Sequence, residues 1–223
     1  MKILSIETTE KFGSVALLEG GRVLAEITLP KDRRSSRTLH PALQTLFETT
    51  RHTPQDIEFV AVVAGPGSFT GLRVGVTAAK VFAYTTGAKV VALDTFQTIA
   101  AATSHSGVVS IGVDAQRGEV VSAMLRQTES GVEMVSEPMM TTVGDWWKHA
   151  EQYEDVLFTG PALERYGGTA PSNLVLADES DWFPKASAAG KLAAKRITAE
   201  LLDDAWSLLP IYSRLSAAEE KRG

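Results

Sequence analysis

The chain has 223 residues and a formal net charge of −5, with 44% hydrophobic and 22% charged residues. This balance is typical of one large or two small globular domains and excludes a wholly disordered chain. Cysteine is absent, which excludes disulfides and thiolate metal sites. The sequence lacks the roughly 18 consecutive apolar residues of a membrane helix, and Glu7 interrupts any signal-peptide core. We therefore expect a cytoplasmic protein with no membrane partner.

The first hundred residues alternate strands and helices. An almost continuous apolar run predicts a buried strand over residues 3–8, and Gly20 and Gly21 suit a tight turn between the next two strands. Ser35 or Ser36 can cap a helix whose apolar face includes Leu39 and Leu43. The remaining predicted elements are strands over 12–19, 22–29, 59–64 and 89–93, and helices over 68–84 and 95–103.

The pattern then begins again. Each half contains a strand that ends in an acidic residue, then a glycine, a second strand, a glycine turn and a third strand. The matching pairs are Glu7 with Asp114, Gly13 with Gly118 and Gly21 with Gly131, at offsets of 107, 105 and 110 residues. Nearly equal offsets indicate an internal duplication, and a chance likeness between two hairpins is the alternative. The later predicted elements are strands over 108–113, 120–126, 132–135 and 156–159, and helices over 142–151 and 186–207.

The predicted organisation has two parts. Residues 1–104 form the N-terminal half, and residues 105–223 form the C-terminal half. The C-terminal helix is a candidate to pack back on the first half, because one strand-rich unit does not easily cover both faces of its own sheet.

The most distinctive motif is the string GPGSFTGLRVG, which starts at Gly65 and lies between a predicted buried strand and a helix. Ser68 can cap that helix, whose free N–H groups favour an anion. A phosphate-binding loop is one interpretation. The string lacks the Lys-Ser/Thr ending of a nucleotide P-loop and the spacing of a dinucleotide loop, which weakens this interpretation.

Small residues recur every fourth position in the helix after this loop, at Gly71, Gly75, Ala79 and Ala83. Such a stripe allows close approach of another element, either within the chain or in a partner. We predict a helix–helix contact with another chain, next to the helix near residues 35–50. The predicted interface consists of Leu39, Leu43, Gly67, Phe69, Gly71, Leu72, Arg73, Gly75, Val76 and Ala79.

This loop and helix resemble the hallmark of the TsaB (YeaZ) family, and the resemblance spans nearly the whole chain. The opening ILSIETT resembles the family's strand ending in Asp-Thr-Ser, and GVDAQRGEV from Gly112 resembles its Ile-Asp-Ala-Arg-Arg-x-Glu-Val stretch. TGPA from Thr159 and PIYSR from Pro210 resemble its glycine turn and its closing Pro-x-Tyr-Leu-Arg. Three positions depart from the pattern, since Glu7 replaces the usual Asp, Gln116 replaces an Arg and Ser213 replaces a Leu.

The resemblance implies an α/β fold of two ribonuclease-H-like halves, shared with actin, sugar kinases and heat-shock ATPases, with mixed sheets flanked by helices. It implies a non-catalytic subunit that supports the paralogous TsaD-type enzyme, which forms N6-threonylcarbamoyladenosine beside the anticodon of tRNA. Further implied partners are a TsaE-type ATPase and tRNA, both reached through the complex, and a second copy of the chain when it is alone. No intrinsic cofactor is expected, and ATP or ADP would bind only in the complex.

Two acidic residues keep an enzyme interpretation open. In active members of this fold, carboxylates at the positions of Glu7 and Asp114 hold magnesium with nucleotide phosphate. Neither residue is followed at once by the glycine that a phosphate hairpin needs. We therefore predict a vestigial nucleotide cleft that contains Glu7, Asp114, Arg117 and Gly160, and no catalytic residue. An autonomous ATPase or kinase is the alternative, and a structural homodimer without an essential partner is another.

The sequence gives little support for a metal site or for a protease active site. The histidines His40, His52, His105 and His149 show no pair three or four residues apart, so we expect no metal site. A glycoprotease-like peptidase would need a nucleophile and a base, and no histidine is placed by sequence beside a candidate serine such as Ser68 or Ser110.

One short segment stands out in this acidic chain because it is rich in basic residues. Lys31, Arg33, Arg34 and Arg37 surround Asp32. A solvated loop is the simpler interpretation, because exposed Lys and Arg are common. The alternative is a contact with an acidic partner or with RNA.

Overall fold

The computed structural model describes residues 1–128, 131–149 and 153–213, which form two compact units. The first unit contains Met1–Thr98 and Pro184–Ile211. The second contains Ile99–Phe183 together with Tyr212 and Ser213. The division at residue 104 expected from the sequence thus lies slightly beyond the break between these units, which falls inside a helix. Within the part of the chain described, no helix has the length and hydropathy needed to cross a membrane.

The elements follow an order that occurs twice: three strands, then helix, strand, helix, strand and helix. The first round consists of β1 (Lys2–Glu7), β2 (Ser14–Glu19), β3 (Arg22–Thr28), α1 (Ser35–Thr50), β4 (Phe59–Gly65), α2 (Phe69–Thr86), β5 (Lys89–Asp94) and α3 (Thr95–Ala102). The second round consists of β6 (Val108–Gln116), β7 (Glu119–Gln127), β8 (Val132–Thr142), α4 (Val143–His149), β9 (Val156–Thr159), α5 (Leu163–Tyr166), β10 (Val175–Leu176) and α6 (Ala186–Thr198). The internal repeat predicted from sequence offsets is therefore confirmed for whole elements.

The first unit has a five-stranded mixed sheet in the order β3-β2-β1-β4-β5. The first three strands pair antiparallel, and β4 and β5 join them in parallel. β1 and β4 are buried on both faces, which explains why their sequences are continuous apolar runs rather than alternating ones.

Two helices cover one face of this sheet. α1 and α2 bury side chains such as Leu46, Val76 and Ala79 against Leu4, Val15 and Val62, and Phe47 of α1 stacks with Phe82 of α2 at a centroid distance of 6.3 Å. α2 begins where the Ser68 hydroxyl accepts the Gly71 amide, and it ends at the left-handed Gly87. The Ser68 cap is the start that the sequence predicted for this helix, and a left-handed glycine is a common helix end.

Helix α6 covers the other face. Its buried residues are almost all alanine, and a methyl group on Gly190 would overlap the Leu18 side chain, so small residues let the helix lie very close to the sheet. The hairpin of β2 and β3 caps its start, because the Ser14 hydroxyl accepts the Ala186 amide at 2.9 Å and the Glu26 carboxylate accepts the Ser187 amide at 3.0 Å.

The predicted end of this last helix, residue 207, was wrong. α6 ends at Thr198, and Glu200 then adopts a left-handed conformation. The chain turns away because Asp203 pairs with Val90 at the edge of β5, where its carboxylate accepts the Ala92 amide at 2.8 Å. These edge contacts replace about two and a half further turns of helix.

The second unit has the same sheet order, written β10-β9-β6-β7-β8. β6, β7 and β8 are antiparallel neighbours, and β9 and β10 add in parallel. Its core surrounds Trp146, which donates its indole N–H to the Ser110 hydroxyl at 3.0 Å and lies directly over Gly112. The sequence missed α5 and β10 and predicted a shorter β8. The helix predicted over 142–151 is described from Val143 to His149, and residues 150–151 lie outside the described residues.

Candidate functional site

The end of β1 places a carboxyl group in the interior. Glu7 is fully buried, and its Oε1 accepts the Thr9 amide at 2.5 Å and the Thr9 hydroxyl at 2.6 Å. Its Oε2 is buried without a hydrogen-bond partner among the described residues. Burial raises the pKa of Glu7 to about 8, although the hydrogen bonds from Thr9 act in the opposite direction. Glu7 is therefore a neutral acid at neutral pH.

The glycine motif holds the segment that follows Glu7. The Ser68 amide donates to the Thr9 carbonyl at 2.6 Å, and the Thr8 hydroxyl donates to the Gly71 carbonyl at 2.8 Å. A methyl group on Gly67 would meet the Thr9 carbonyl, and one on Gly71 would overlap the Thr8 carbonyl. The absence of side chains at these glycines is therefore required by the chain's own Thr8–Thr9 segment.

The small-residue stripe of α2 packs inside the first unit, which favours a contact within the chain at these positions over the predicted contact with another chain. A methyl group on Gly75 would overlap the Thr8 hydroxyl, and Ala79 is fully buried in the core. Buried side chains cannot contact another chain directly. The predicted interface residues that the structure buries are Leu39, Gly71, Leu72, Gly75, Val76 and Ala79.

The remaining predicted interface residues are more accessible. Leu43, Gly67 and Phe69 are half-buried, and Arg73 is exposed, with its guanidinium 4.0 Å from the centre of the Phe69 ring. For these positions the interface stays a prediction.

The opposite side of α2 carries an exposed stripe. We call Thr70, Arg73, Thr77, Val81 and Tyr84 the outer face of α2, since all five are exposed and lie three or four residues apart. Tyr84, 75% exposed, meets the equally exposed Trp206 in an edge-to-face contact with a centroid distance of 5.6 Å.

Lys80 anchors the segment that carries Trp206. Its ammonium group donates to the carbonyls of Trp206 and Leu208 at 2.9 and 3.1 Å. The exposed aromatic pair is thus held in place by backbone contacts within the first unit.

The closing part of the chain also meets the glycine motif. The Ile211 amide donates to the Ala64 carbonyl at 2.7 Å, and a methyl group on Gly65 would overlap the Ile211 carbonyl. Two segments that carried the family resemblance, GPG and PIY, are therefore in direct contact. The last residue of the predicted PIYSR motif, Arg214, lies outside the described residues.

The acidic residue of the second unit has polar partners. Asp114 accepts the Gln116 amide at 2.8 Å and the Tyr166 hydroxyl at 3.2 Å, and it lies 3.5 Å from the Arg165 guanidinium. Loss of water contact and the Asp114 carboxylate raise the pKa of Tyr166. The structure thus joins Asp114 to two side chains of α5 that the sequence did not single out, since a four-residue helix gives no periodic signal.

The other predicted cleft residues of this unit, Arg117 and Gly160, directly follow β6 and β9. Arg117 and Gly118 form the two-residue turn between β6 and β7, both with positive φ. Gly160 has φ +110°, and a methyl group there would overlap the Gly112 carbonyl of β6. Glu7 belongs to the first unit, and the cleft that it would share with these residues stays a prediction.

One repeated signal could have been found in the sequence. Gly65 is the last residue of β4 and precedes Pro66, and Gly160–Pro161 follows β9, which is the matching strand of the second round. Both glycines have positive φ and both receive a neighbouring backbone where a side chain would stand. Aligning the two Gly-Pro pairs would have marked both glycines as equivalent positions, although it would not have identified the segment that approaches each of them. Across the described ranges, no group of three or more His, Cys, Asp or Glu side chains could hold a metal ion.

Comparison with known proteins defines first the class of fold. A solved protein from Pseudomonas aeruginosa, described as similar to peptidase YEAZ, superposes with a TM-score of 0.81 at 23% identity, covering 96% of this chain and 99% of that one. Component A of (R)-2-hydroxyglutaryl-CoA dehydratase from Acidaminococcus fermentans reaches a TM-score of 0.53 at 10% identity, covering 89% and 99%. The fold is α/β, with two mixed sheets flanked by helices in a two-half arrangement like that of actin, sugar kinases and heat-shock ATPases.

Sequence comparison then defines the family. The model of the family described as "TsaD: tRNA N6-adenosine threonylcarbamoyltransferase" matches residues 22–177. The tRNA threonylcarbamoyladenosine biosynthesis protein TsaB of Bacillus subtilis is 32% identical over 241 aligned positions, which cover 99% of this chain and 97% of the relative. The chain therefore belongs to the TsaB (YeaZ) family, as its motifs predicted.

Proposed function

We propose that this protein is a non-catalytic subunit that binds a TsaD-type enzyme and supports formation of N6-threonylcarbamoyladenosine in tRNA in the cytoplasm. The observation that carries the proposal is its full-length similarity to a protein named for this biosynthesis. Its match to the model of the transferase family supports a paralogous relationship to the catalytic subunit. A TsaE-type ATPase and tRNA would be reached through that complex.

The state of Glu7 supports the absence of independent catalysis. A carboxylate that holds magnesium must be open to the ion, whereas Glu7 is fully buried and its Oε1 accepts both the Thr9 amide and the Thr9 hydroxyl. The space beside the glycine motif is filled by Thr8 and Thr9 rather than left for a phosphate group. We therefore propose that the chain alone has no nucleotide cofactor, and that ATP or ADP binds only in the complex.

The outer face of α2, extended by Trp206, is the proposed docking surface for the catalytic subunit. Val81, Tyr84 and Trp206 are between 57% and 75% exposed, and grouped exposed apolar side chains are typical of protein interfaces. Arg73 adds a charge at the rim of this group. A second copy of the chain would cover the same surface when the catalytic subunit is absent.

The test is reconstitution with the purified TsaD-type and TsaE-type proteins of the same organism. The double variant Val81→Asp/Tyr84→Ala should remain folded, fail to co-elute with the catalytic subunit and lose most modification of tRNA. Val175→Asp is the matched control, because Val175 is also exposed, at 61%, but lies on β10 of the second unit.

Two outcomes would contradict the proposal. Normal co-elution of the double variant would place the docking surface elsewhere. Magnesium-dependent ATP turnover by the isolated chain, abolished by Asp114→Ala, would instead support the autonomous ATPase or kinase.

A further inference from the structure

The cationic residues near the start of α1 form one continuous group in the first unit. We define the basic cluster as Lys11, Lys31, Arg33, Arg34 and Arg37, which are all exposed. The Phe12 ring joins its two segments, because the Lys31 ammonium lies 4.0 Å from the ring centre and the Lys11 ammonium lies 5.6 Å from it. Phe12 thus positions cations that come from different loops.

The cluster contrasts with the rest of the chain. Residues 31–37 contain four cations and one carboxylate, a net charge of +3, so the remainder carries −8 of the total of −5. A body of that charge repels polyanions over its surface as a whole. Any polyanion that binds this protein must therefore do so through a local cationic group.

The arginines of the cluster line an open cavity, and carboxylates of the chain offset their positive charge only weakly. Asp32, Arg33, Arg34 and Arg37 line a cavity of about 380 Å³. Asp32 is 3.8 Å from the Arg33 guanidinium, and both side chains are at least 70% exposed, so this pair is weak. Arg34 and Arg37 make no ion pair with a described residue.

The start of α1 adds to the positive potential. Its N-cap residue, Arg34, provides no side-chain acceptor, and the first turn contains no acidic residue. The helix dipole and the free N–H groups of that turn therefore reinforce the charge of the arginines around the cavity.

We propose that the basic cluster binds the phosphate backbone of RNA, so that this subunit contacts tRNA directly rather than only through its partner. The inference deepens the proposed function and rests on it for the choice of tRNA. Guanidinium groups suit phosphate because their N–H donors match its oxygens in pairs. The Lys31 ammonium already lies over the Phe12 ring, where a base would otherwise stack. The cluster therefore recognises the charge and shape of the RNA backbone rather than its bases.

The test measures binding of an unmodified, fluorescently labelled tRNA transcript by anisotropy, at several salt concentrations. It uses the isolated chain and its complex with the TsaD-type subunit. The variant Arg33→Glu/Arg34→Glu/Arg37→Glu is compared with Arg22→Glu/Lys191→Glu/Lys195→Glu. Both sets change the net charge equally at exposed positions of the first unit, so global repulsion is matched.

The cluster variant should bind tRNA at least about tenfold more weakly than the control. The slope of log affinity against log salt should fall by roughly two to three, since each lost phosphate contact accounts for about 0.9. Equal affinities of the two variants, in both samples, would overturn the inference. Thermal unfolding of both variants checks that they remain folded.

Co-elution with the catalytic subunit separates this inference from the proposed function. If the cluster variant loses co-elution but keeps its tRNA affinity, the cluster contacts a protein and the inference fails. If the wild-type chain does not bind the catalytic subunit, the proposed function fails. In that case, selective loss of tRNA affinity in the cluster variant still supports the RNA contact.

Discussion

The two units share one sheet order but treat the acidic residue at the end of their first strand in opposite ways. Glu7 is buried, protonated and shielded by Thr9. Asp114 is 29% exposed and contacts Tyr166 and Arg165. Both accept the amide two residues later, so the local backbone geometry is common to the two units.

Helix length accounts for the difference. Six residues lie between Glu7 and its cross-strand partner Ser14, and five lie between Asp114 and its partner Val120, so the two connections are nearly equal in length. In the first unit Thr8 and Thr9 contact the glycine motif, and the 18-residue helix α2 covers them. The corresponding helix α5 has four residues and leaves Asp114 open. Repetition of a fold thus preserves strand order, while the length of the covering helix decides how far the equivalent acidic residues are buried.

The largest expected effect comes from a methyl group in the glycine motif. Gly71→Ala should lower the free energy of unfolding by about 3 kcal/mol or more, because the methyl overlaps the Thr8 carbonyl, which is backbone and cannot rotate away. Gly144→Ala in α4 is the matched control, since its nearest neighbour would lie 3.9 Å away. Alanine there should be neutral or stabilising by up to about 1 kcal/mol. Urea unfolding measures both, and equal effects would mean that Thr8 is not held against α2.

The pH dependence of stability should distinguish the buried acid from the open one. Between pH 4.5 and about 8 the folded state keeps the Glu7 proton and the unfolded state releases it, so stability falls as pH rises through this range. The loss amounts to roughly 3 kcal/mol at pH 7. Glu7→Gln should remove this slope and be the more stable protein at pH 8.

The measurement is best made by urea unfolding between about pH 6.5 and 8. Burial raises the pKa of Asp94 to about 6, so that group has largely titrated below this range. Asp114→Asn is the control in the second unit. If the free energy of unfolding still falls with rising pH in Glu7→Gln, another group is responsible for the pH dependence.

The two Gly-Pro turns should respond differently to the same substitution. Gly65→Ala would displace the Ile211 backbone, and hydrogen exchange of the Ile211 amide should become at least about tenfold faster while the core of the first unit stays protected. Gly160→Ala would push against Gly112 in β6 and should instead weaken protection across the second sheet. Identical exchange patterns in the two variants would contradict this assignment of neighbours.

The smallest effect is expected at the open acid. Tyr166→Phe removes the 3.2 Å hydrogen bond to Asp114, and Arg165→Ala removes a partner whose side chain is 59% exposed. Each should cost less than about 1 kcal/mol, because solvent screens partly exposed charges. Thermal unfolding measures this, and a loss above about 2 kcal/mol would mean that Asp114 is held as tightly as Glu7.

Much of the fold was predictable because its signals are local. The apolar run before Glu7, the Ser68 cap and the glycine offsets predicted strands, a helix and the repeat. The two-residue β10 and four-residue α5 were missed, since neither is long enough to show a period.

The candidate site was less predictable because its contacts join distant segments. The spacing of Gly71 and Gly75 showed that something lies close to α2, but not that it is Thr8. Likewise, nothing in the sequence connects Gly65 with Ile211. The contact between Tyr84 and Trp206 was not predicted, because the last helix was expected to continue through residue 207.

Helix α6 has a consequence for how the protein is made. Its alanine face covers Ile3, Ala61 and Val91, but the ribosome adds it only after residues 99–183 of the second unit. The nascent chain therefore presents one bare apolar side of its first sheet until residues 186–198 have left the exit tunnel. Chains released after synthesis stops before Pro184 should depend on chaperones that recognise apolar surface, and the released 223-residue chain should not.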